Sequence, residues 1–562
     1  MQQLKPKYDF VVIGAGSAGS VIAARLSENS RFDVLLLEAG PDNKSWKIDM
    51  PLAVDQLLNA TDYNWAFETE PEAALGGRRI GQPRGRVIGG SSSINGMVYT
   101  RGNPQDYDEW RDVHGCTGWG YADVLPYFRR METAPEGKNR YRGGDGPLRI
   151  TRPDLSRHPL NAAFLQAGRE LGYPISEDYN GAQHEGFASG EQTIWKGKRQ
   201  STGRAYLTPE VRKRPNLTIA TGALVEKIIF EDRQATAVQF VRNGKRERVA
   251  IGREVVLSAG AVGSPHILKL SGVGPAEELR QHGIEVVLDN PLVGAELQDH
   301  PDLQLQYKCK KPVTLRQHAE WPGRILVGLN WFLFHKGVAA SNQFEAAAYL
   351  RTRAGIRKPN IKLEFFPLGI SHDNYKPYRI DSFQIHMTLL NANSRGAITL
   401  KSANPADAPA ITVNFLDNEA DLQTYREAIA ITREIVAAKA FDEFRGEEID
   451  PGEALRDGKA LDDWMRARVY TAYHLSCSCR MGQEGSSVVA PDLKVHGLTG
   501  IRIADASVMP HVVTANTNAT TIMIGERAAD FCAGKPQLTP DEAPYWVAAN
   551  WKTQQRSTEA ER

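Results

Sequence analysis

The stretch "YDFVVIGAGSAGSVIAARLSE", Tyr8 to Glu28, decides the fold of this 562-residue chain. It begins with a short apolar run, passes through a glycine-rich turn and continues with the apolar spacing of a helix. "FDVLLLEAG", Phe32 to Gly40, follows as a second buried strand. Strand, turn, helix and strand in this order predict a βαβ unit that opens a Rossmann-like domain of an α/β protein.

The glycines Gly14, Gly16 and Gly19 form a G-x-G-x-x-G pattern between the first strand and the helix. One glycine allows the tight turn, one lets the backbone approach a pyrophosphate, and one lets helix and strand pack closely. Glu38 ends the second strand, where an acid can bind a ribose hydroxyl. The pattern predicts dinucleotide binding. The spacing alone leaves FAD and NAD open, as well as a glycine-rich turn in an unrelated α/β protein.

A second loop, "GRVIGGSSSING" from Gly85 to Gly96, is rich in glycine and serine. It presents many backbone N–H groups and small side chains, which suit close approach to a phosphate or a flat ring. A flexible surface loop is the alternative interpretation. The loop therefore supports a cofactor site only together with the first glycine pattern.

Composition limits the class of protein. Lys plus Arg (68) nearly balances Asp plus Glu (67), and a net charge of +1 argues against nucleic acid as a partner. Five cysteines form no disulfide framework and suit a reducing compartment. We find no signal peptide and no apolar run of about 18 residues. The expected location is cytoplasmic, with peripheral contact with the inner membrane left open.

The nucleotide-binding pattern is discontinuous along the chain. "REVVLSAGAVGSPHILKLSGVGP", Arg253 to Pro275, again indicates strand, turn and helix, and the pattern returns near residue 500. Between about 306 and 464 the sequence predicts a mostly antiparallel sheet and an amphipathic helix, "EADLQTYREAIAITREIVAAKA". A second domain is therefore inserted into the first, giving an α+β architecture overall.

"YHLSCSCRMG", Tyr473 to Gly482, holds a histidine and two cysteines. A metal site is disfavoured because Cys477 and Cys479 are too close for the usual zinc spacing and no second Cys/His pair appears. A redox pair would usually be C-x-x-C. A neutral histidine suits general-base catalysis near pH 7. Without further information a structural histidine remains an alternative.

Several motifs in order along the chain resemble the glucose-methanol-choline (GMC) oxidoreductase family. They are the opening glycines, "GRVIGGSSSIN", "GAVGSPHILKLSGVGP", "LQDHP", "IRIADASVMP" and "NTNATTIMIGE". "DYNWAFETEPE", "ASNQFEA" and "YWVAANW" look most similar to choline dehydrogenases of that family. The resemblance implies FAD, a discontinuous flavin domain, an inserted substrate domain and oxidation of an alcohol by hydride transfer to the flavin.

With the resemblance, the chain divides into three parts. Residues 1–152, 198–305 and 465–536 are expected to form the FAD-binding domain, 153–197 and 306–464 the substrate domain, and 537–562 a surface tail. The expected cofactor contacts are Gly14, Gly16, Ser17, Ala18, Gly19, Glu38, Ala39, Arg86, Gly90, Ser91, Asn95, Gly96, Met97, Val98, Val225, Ala259, Asp505 and Ala506. Ile94 stands where some choline oxidases place a histidine that links FAD covalently, so non-covalent FAD is expected.

The resemblance also implies catalytic residues. His474 matches the family's active-site base, and Asn518, 44 residues further on, is expected to be its partner beside the flavin. The neighbouring Asn516 is not expected to have this role. This chain reads His474-Leu475 where close relatives usually read His-Pro. The change is expected to alter the positioning of the base more than its identity.

A pocket for choline should offer aromatic faces and a carboxylate, because aromatic rings attract quaternary ammonium. Trp65, Tyr473 and Glu345 are the family's candidates, each with core packing or solvation as the plain alternative. Glu364 stands where relatives carry His. It is expected to favour cations or to indicate another substrate, unless the strand's register turns it away.

The sequence therefore predicts a flavin-dependent dehydrogenase that oxidises choline to betaine aldehyde, with further oxidation to glycine betaine left open. Another alcohol substrate and a flavin-fold lyase of the hydroxynitrile lyase type are the alternatives. A quinone or another respiratory-chain acceptor is expected, with oxygen as the oxidase alternative. No metal is expected, and a homodimer is left open.

Overall fold

The computed structural model describes residues 4–372 and 375–556, and two seven-stranded sheets dominate it. In spatial order, the first sheet contains the strands Leu217–Ala220, Val34–Leu37, Lys7–Ile13, Lys245–Leu257, Gln234–Arg242 and Ala223–Glu231, and Ile501–Ile503 pairs with Lys245–Leu257. The first four strands of this order and Ile501–Ile503 pair in parallel. Gln234–Arg242 pairs antiparallel with both of its neighbours, Lys245–Leu257 and Ala223–Glu231. The predicted βαβ unit lies at its centre, where apolar strands are covered on both faces.

The second sheet is antiparallel throughout. Its strands are Arg445–Asp450, Pro301–Cys309, Ser382–Leu389, Ile361–Phe366, Ala346–Leu350 and Gly186–Ser189, and Tyr470–Thr471 pairs with Pro301–Cys309. One face packs on the apolar core of the second domain, which includes Leu303, Leu363 and Ile385. The other face is polar, and this alternation is what a half-covered antiparallel sheet requires.

Helices cover both sheets. The longer ones are Gly19–Leu26, Pro104–Asp112, Tyr121–Met131, Pro159–Glu170, Gly260–Leu270, Gly323–Phe334, Glu419–Ala437, Gly458–Arg468 and Asn518–Cys532. The shorter ones are Trp46–Asp49, Val54–Leu58, Thr202–Ala205, Pro209–Arg212, Ala276–Gln281 and Arg316–Ala319. The amphipathic helix predicted after residue 418 is confirmed, and the side chain of Asn418 caps it by accepting a hydrogen bond from the N–H of Asp421. Within the described residues, no helix has the length and apolar character needed to cross a membrane.

The expected domain boundaries disagree with the strands of the second sheet in two places. The boundary at 305/306 falls inside the strand Pro301–Cys309, which belongs wholly to the second sheet. Tyr470–Thr471, expected in the FAD-binding part, also pairs with this strand. After the strand Gly186–Ser189, the chain therefore re-enters the second sheet at Pro301 rather than at residue 306, and the sheet reaches past residue 464 because Tyr470–Thr471, the strand next to His474, is one of its members.

The expected surface tail is described to residue 556, and its residues 537–556 are instead packed against both domains. Ala543 and Ala548 are buried, and Gln537 Oε1 accepts hydrogen bonds from Tyr127 and Arg527 at 2.9 and 3.0 Å. At its other end the carbonyl of Gln554 accepts one from Arg351 at 2.9 Å. The segment is thus held by hydrogen bonds together with apolar contacts, since Ala543, Leu538 and Tyr545 pack against the core of the first domain.

Candidate active site

A cavity of about 1600 Å³ lies between the two sheets. The first glycine loop lines one end, and the polar face of the second sheet lines the other. Single small-molecule pockets are usually about 300–1,000 Å³. This cavity therefore has room for an extended cofactor together with a substrate.

Glycines make the narrow part of the cavity. Gly14 has a φ of +93°, and a Cβ there would lie 2.5 Å from the carbonyl oxygen of Ser258. A Cβ on Gly90, at φ +52°, would lie 2.6 Å from the Cα of Gly16. The two predicted glycine loops thus touch through their backbones, which exposes N–H groups to the cavity and suits the close approach of a pyrophosphate.

Glu38 lies at the end of the second strand and faces the same part of the cavity. Its carboxylate accepts hydrogen bonds from the N–H groups of Ala15 and Gly40 at 2.9 and 2.8 Å. Burial raises the pKa of Glu38 to about 7, against the effect of those two donors. An acid held in this way fits recognition of the ribose hydroxyls of a dinucleotide.

Most of the predicted cofactor contacts meet in this cavity. The predicted contacts that line it are Gly14, Gly16, Ser17, Glu38, Ala39, Arg86, Gly90, Ser91, Asn95, Gly96, Met97, Val98, Val225, Ala259, Asp505 and Ala506. Ala18 and Gly19 are not among its lining residues. A Cβ on Gly19 would lie 1.9 Å from the carbonyl oxygen of Gly14, so this glycine serves the packing of helix against turn.

His474 reaches the cavity from the turn that follows the strand Tyr470–Thr471. Its N–H donates to Asp299 at 2.7 Å, and the preceding Tyr473 has a left-handed φ of +66°. The carbonyl of Tyr473 accepts a hydrogen bond from Arg84 at 2.5 Å. These bonds hold a strained turn that aims the imidazole inward, the usual place for backbone strain in a functional site.

Asn516, and not the predicted Asn518, lies beside His474. The Asn516 Nδ2 atom is 3.1 Å from His474 Nε2. Asn518 is the first residue of the helix Asn518–Cys532, and its Oδ1 accepts a hydrogen bond from Ser17 at 2.7 Å. The expected partner was therefore wrong by two residues, and Asn518 instead joins the first glycine loop.

His474 is buried and neutral at pH 7. Its pKa is held well below the usual value, first by burial and then by electrostatic interaction with His300, Lys362 and Arg84. Its Nδ1 atom lies 3.0 Å from Nδ1 of His300, whose own pKa burial lowers to about 3. A neutral imidazole with one free nitrogen lone pair can act as a proton acceptor.

The polar face of the second sheet was not predicted. Opposite residues form rows across three strands, with Asp302, Thr388 and Lys362 in one row and Gln304, His386 and Glu364 in the next. The signal in the sequence is alternation, since "PDLQLQY", "KLE" and "QIHMT" place polar residues at every second position. The carboxylate of Asp302 is hydrogen-bonded there to Tyr470, His386 and Thr388.

The predicted substrate residues divide between two places. Trp65, Tyr473 and Glu364 line the cavity. Glu345 does not, because its carboxylate accepts hydrogen bonds from Ser341 and Asn161 at 2.7 and 3.1 Å and faces a separate surface depression. The expectation that Glu345 faces the substrate is therefore wrong for this geometry.

The two cysteines after His474 pack inside the protein. Cys477 and Cys479 are fully buried and have no disulfide partner. Burial raises the pKa of the Cys477 thiol to about 12 and raises that of Cys479 as well. Both thiols are protonated at pH 7, so they are poor nucleophiles and poor metal ligands.

A dinucleotide-binding sheet joined to an antiparallel sheet, with a buried histidine in the shared cavity, fits an enzyme that binds a dinucleotide cofactor beside its substrate. Two GMC oxidoreductase family models match residues 8–302 and 392–525. The chain belongs to the GMC oxidoreductase family, whose members act on CH–OH donors and use FAD.

Curated relatives cover the whole chain. An oxygen-dependent choline dehydrogenase of Vibrio vulnificus is 44% identical over 559 residues, 99% of this chain and 100% of the relative. One of Photobacterium profundum is 45% identical over 558 residues, 99% of this chain and 98% of the relative.

Among solved structures, a pyridoxine 4-oxidase from "Mesorbium loti" matches with a TM-score of 0.85 and 32% identity, over 93% of this chain and 98% of that one. A formate oxidase matches with a TM-score of 0.88 and 26% identity, over 95% and 99%. The family thus shares this fold across different substrates.

Proposed function

We propose that this protein oxidises choline to betaine aldehyde with a non-covalently bound FAD. The observation that carries the proposal is the neutral, buried His474, which lies where the cofactor part of the cavity meets the polar sheet. Full-length relatives named as choline dehydrogenases support the choice of substrate. Whether the aldehyde is hydrated and oxidised again to glycine betaine is a further part of this proposal.

The chain's own residues carry the proton. Nε2 of His474 accepts the hydroxyl proton of the alcohol while the carbon loses a hydride, so that the C–O single bond becomes a carbonyl. FAD held by the two glycine loops and Glu38 would supply the hydride acceptor. Asn516 lies beside Nε2 and can donate a hydrogen bond to the substrate oxygen. A positioned base of this kind contributes about 10²–10⁴ in rate.

The cationic end of choline would bind at the second sheet. Asp302 and Glu364 are the carboxylates of this sheet that line the cavity, and Asp302 is already bound by Tyr470, His386 and Thr388. The rings of Phe344 and Phe366 line the cavity with Glu364 and are stacked with centroids 4.9 Å apart. Trp65, stacked on Phe67, lines the same cavity. Aromatic faces attract quaternary ammonium groups by about 0.5–2 kcal/mol each. These groups replace Glu345 as the proposed cation site.

The electron acceptor and the location follow from the family expectation. We propose a quinone of the respiratory chain as the acceptor, in a cytoplasmic enzyme that contacts the inner membrane peripherally. Oxygen is the alternative, since the relatives are named oxygen-dependent choline dehydrogenases. Rapid mixing of the reduced protein with a short-chain quinone or with oxygen would rank the two acceptors by rate.

Anaerobic titration with choline tests the proposal. We expect choline to bleach the flavin absorbance with a stoichiometry near one. The neutral isostere 3,3-dimethylbutan-1-ol should need at least tenfold more alcohol for the same effect, because it lacks the charge that Glu364 attracts. Preference for the neutral alcohol would indicate another substrate of the same family. No bleaching by any alcohol would indicate a lyase instead.

The side chain of Ile94 predicts that FAD is released by acid. Ile94 lines the cavity at the position where a covalent link would form, and its side chain cannot make one. After trichloroacetic acid precipitation, the yellow colour should appear in the supernatant. A yellow pellet would contradict non-covalent binding.

The low pKa of His474 predicts the pH profile. The base works only when neutral, and its pKa lies below 6.5 because burial disfavours the charged form. The limiting rate of flavin reduction should therefore be constant above about pH 6.5 and fall only below it. Stopped-flow measurement from pH 5 to 9 checks this, and an inflection above pH 7 would contradict it.

The placement of the two asparagines predicts different effects for two similar changes. Asn516→Ala should lower the limiting rate of flavin reduction about 10- to 100-fold, within the range of one lost active-site hydrogen bond to a charged group. Asn518→Ala should leave that rate within about threefold and weaken FAD binding, because its partner is Ser17. Equal losses of rate in both variants would contradict the assignment.

A further inference from the structure

Lys362 is a buried lysine next to the active site with no part in the chemistry described so far. Its side chain is 1% exposed, and Nζ lies 2.7 Å from Oε1 of Glu364. The same Nζ donates to Oδ1 of Asn516 at 2.7 Å. Lys362 is not among the residues that line the cavity, so it does not reach a substrate there. Apart from its electrostatic effect on the pKa of His474, Lys362 acts through its two partners.

We propose that Lys362 is a positioning residue that fixes the amide of Asn516 and thereby keeps Nε2 of His474 as the proton acceptor. The inference rests on the proposed function, because it concerns which nitrogen of the base is free. It stands on the hydrogen-bond roles of four side chains in one chain of contacts.

The first step follows from the ammonium group. An ammonium has three donors and no acceptor, so the Asn516 atom that faces Lys362 must be the carbonyl oxygen. The amide cannot flip without placing its NH₂ against the ammonium. Nδ2 of Asn516 is therefore the atom that faces His474 Nε2, at 3.1 Å.

The second step fixes the tautomer. Because Nδ2 of Asn516 is a donor, Nε2 of His474 must present its lone pair, and a neutral imidazole then carries its proton on Nδ1. That proton points to Nδ1 of His300, 3.0 Å away, which must accept it. His300 can do so because burial keeps it neutral. All donors along the chain from Lys362 to His300 thus point in one direction.

Glu364 balances the charge of the lysine. With Lys362 as its ion partner, one carboxylate oxygen is engaged and the other remains available to the cavity. The charged and titratable groups that act on the imidazole of His474 are His300, Lys362 and Arg84. Asp299 accepts a hydrogen bond from the backbone N–H of His474. Removal of Lys362 alone would leave an unpaired carboxylate beside the base, so any test needs both residues changed together.

Two double variants separate the donor from the ion pair. Lys362→Gln with Glu364→Gln keeps an N–H donor toward Asn516 but no charge. Lys362→Met with Glu364→Gln keeps neither. Both remove the same ion pair, so their difference reports the hydrogen bond to Asn516 rather than the loss of charge or of the pocket carboxylate.

The expected result is a difference in tautomer and in rate between these two variants. In ¹⁵N-histidine NMR spectra of the FAD-loaded protein, with His474 assigned by its loss in His474→Gln, the glutamine variant should keep the Nδ1–H tautomer. The methionine variant should show a mixture of tautomers. Its limiting rate of flavin reduction by choline should be at least tenfold lower, with a similar half-saturating concentration.

Identical tautomers and rates in the two variants would overturn the proposal and leave Lys362 as a structural ion-pair partner. The NMR measurement needs no turnover. If wild type is not reduced by any alcohol, the proposed function fails while the tautomer comparison still decides the role of Lys362. Should the methionine variant not fold, the double variant Lys362→Gln with Glu364→Gln must still retain the wild-type tautomer, and loss of that tautomer would overturn the proposal.

Discussion

His474→Ala should slow flavin reduction by choline about 10²–10⁴-fold while FAD stays bound, because the variant loses the proton acceptor but no cofactor contact. The imidazole is 8% exposed and lies in the cavity, so its removal leaves space rather than a clash. Stopped-flow absorbance under anaerobic conditions measures the rate directly. The flavin spectrum before mixing shows whether the cofactor is retained.

A second histidine provides the control for this prediction. His282 follows the helix Ala276–Gln281 and is not among the residues lining the cavity. His282→Ala should leave the rate within about twofold of wild type. If His474→Ala reduces flavin at the wild-type rate, the base is another group and the proposed mechanism fails.

Gly90→Ala should yield protein with less than a tenth of the FAD content of wild type. The new Cβ would lie 2.6 Å from the Cα of Gly16 and would require a φ of +52°. Overpacking costs about 1–3 kcal/mol, and the left-handed backbone about 1–2 kcal/mol. Together, about 2–5 kcal/mol corresponds to a loss of affinity of about 30- to 5,000-fold.

Gly76 is the matched control for the backbone cost. It has a φ of +66°, and a Cβ there would meet nothing within 4 Å. Gly76→Ala should therefore lower thermal stability slightly and leave FAD content unchanged. The ratio of flavin to protein absorbance in purified samples compares the variants. Full FAD content in Gly90→Ala would show that the two glycine loops do not form the cofactor cradle.

The dinucleotide-binding unit was predictable because its signals are local. Strand, glycine turn and helix follow one another within about twenty residues, and each glycine has its own steric reason. The partner of His474 was less accessible to sequence reasoning. Asn516 and Asn518 lie two residues apart, and the start of the helix at Asn518 decides which one turns toward the histidine. No spacing rule supplies that boundary.

The substrate face shows a different limit of sequence reasoning. Glu345 precedes the strand Ala346–Leu350 and is turned away from the cavity by its hydrogen bonds to Ser341 and Asn161. Asn161 is distant in sequence and Ser341 lies in a loop, so neither contact can be read from the sequence pattern. Glu364 faces the cavity as expected, but its ion pair with Lys362 was not predicted. Alternation could have shown the polar face, since it needs only period two. Which polar residues lie opposite one another depends on the register of three strands, and the alternation does not supply that register.

The course of the C-terminal segment has a mechanical consequence. It is hydrogen-bonded to Tyr127 and Arg527 at one end and to Arg351 at the other, so it acts as a strap across the two domains. A strap of this kind resists any hinge that would separate the sheets. We therefore expect substrate and product to exchange through the mouth of the cavity, without separation of the two sheets. Deletion after residue 536 would loosen that distance rather than simply trim the surface.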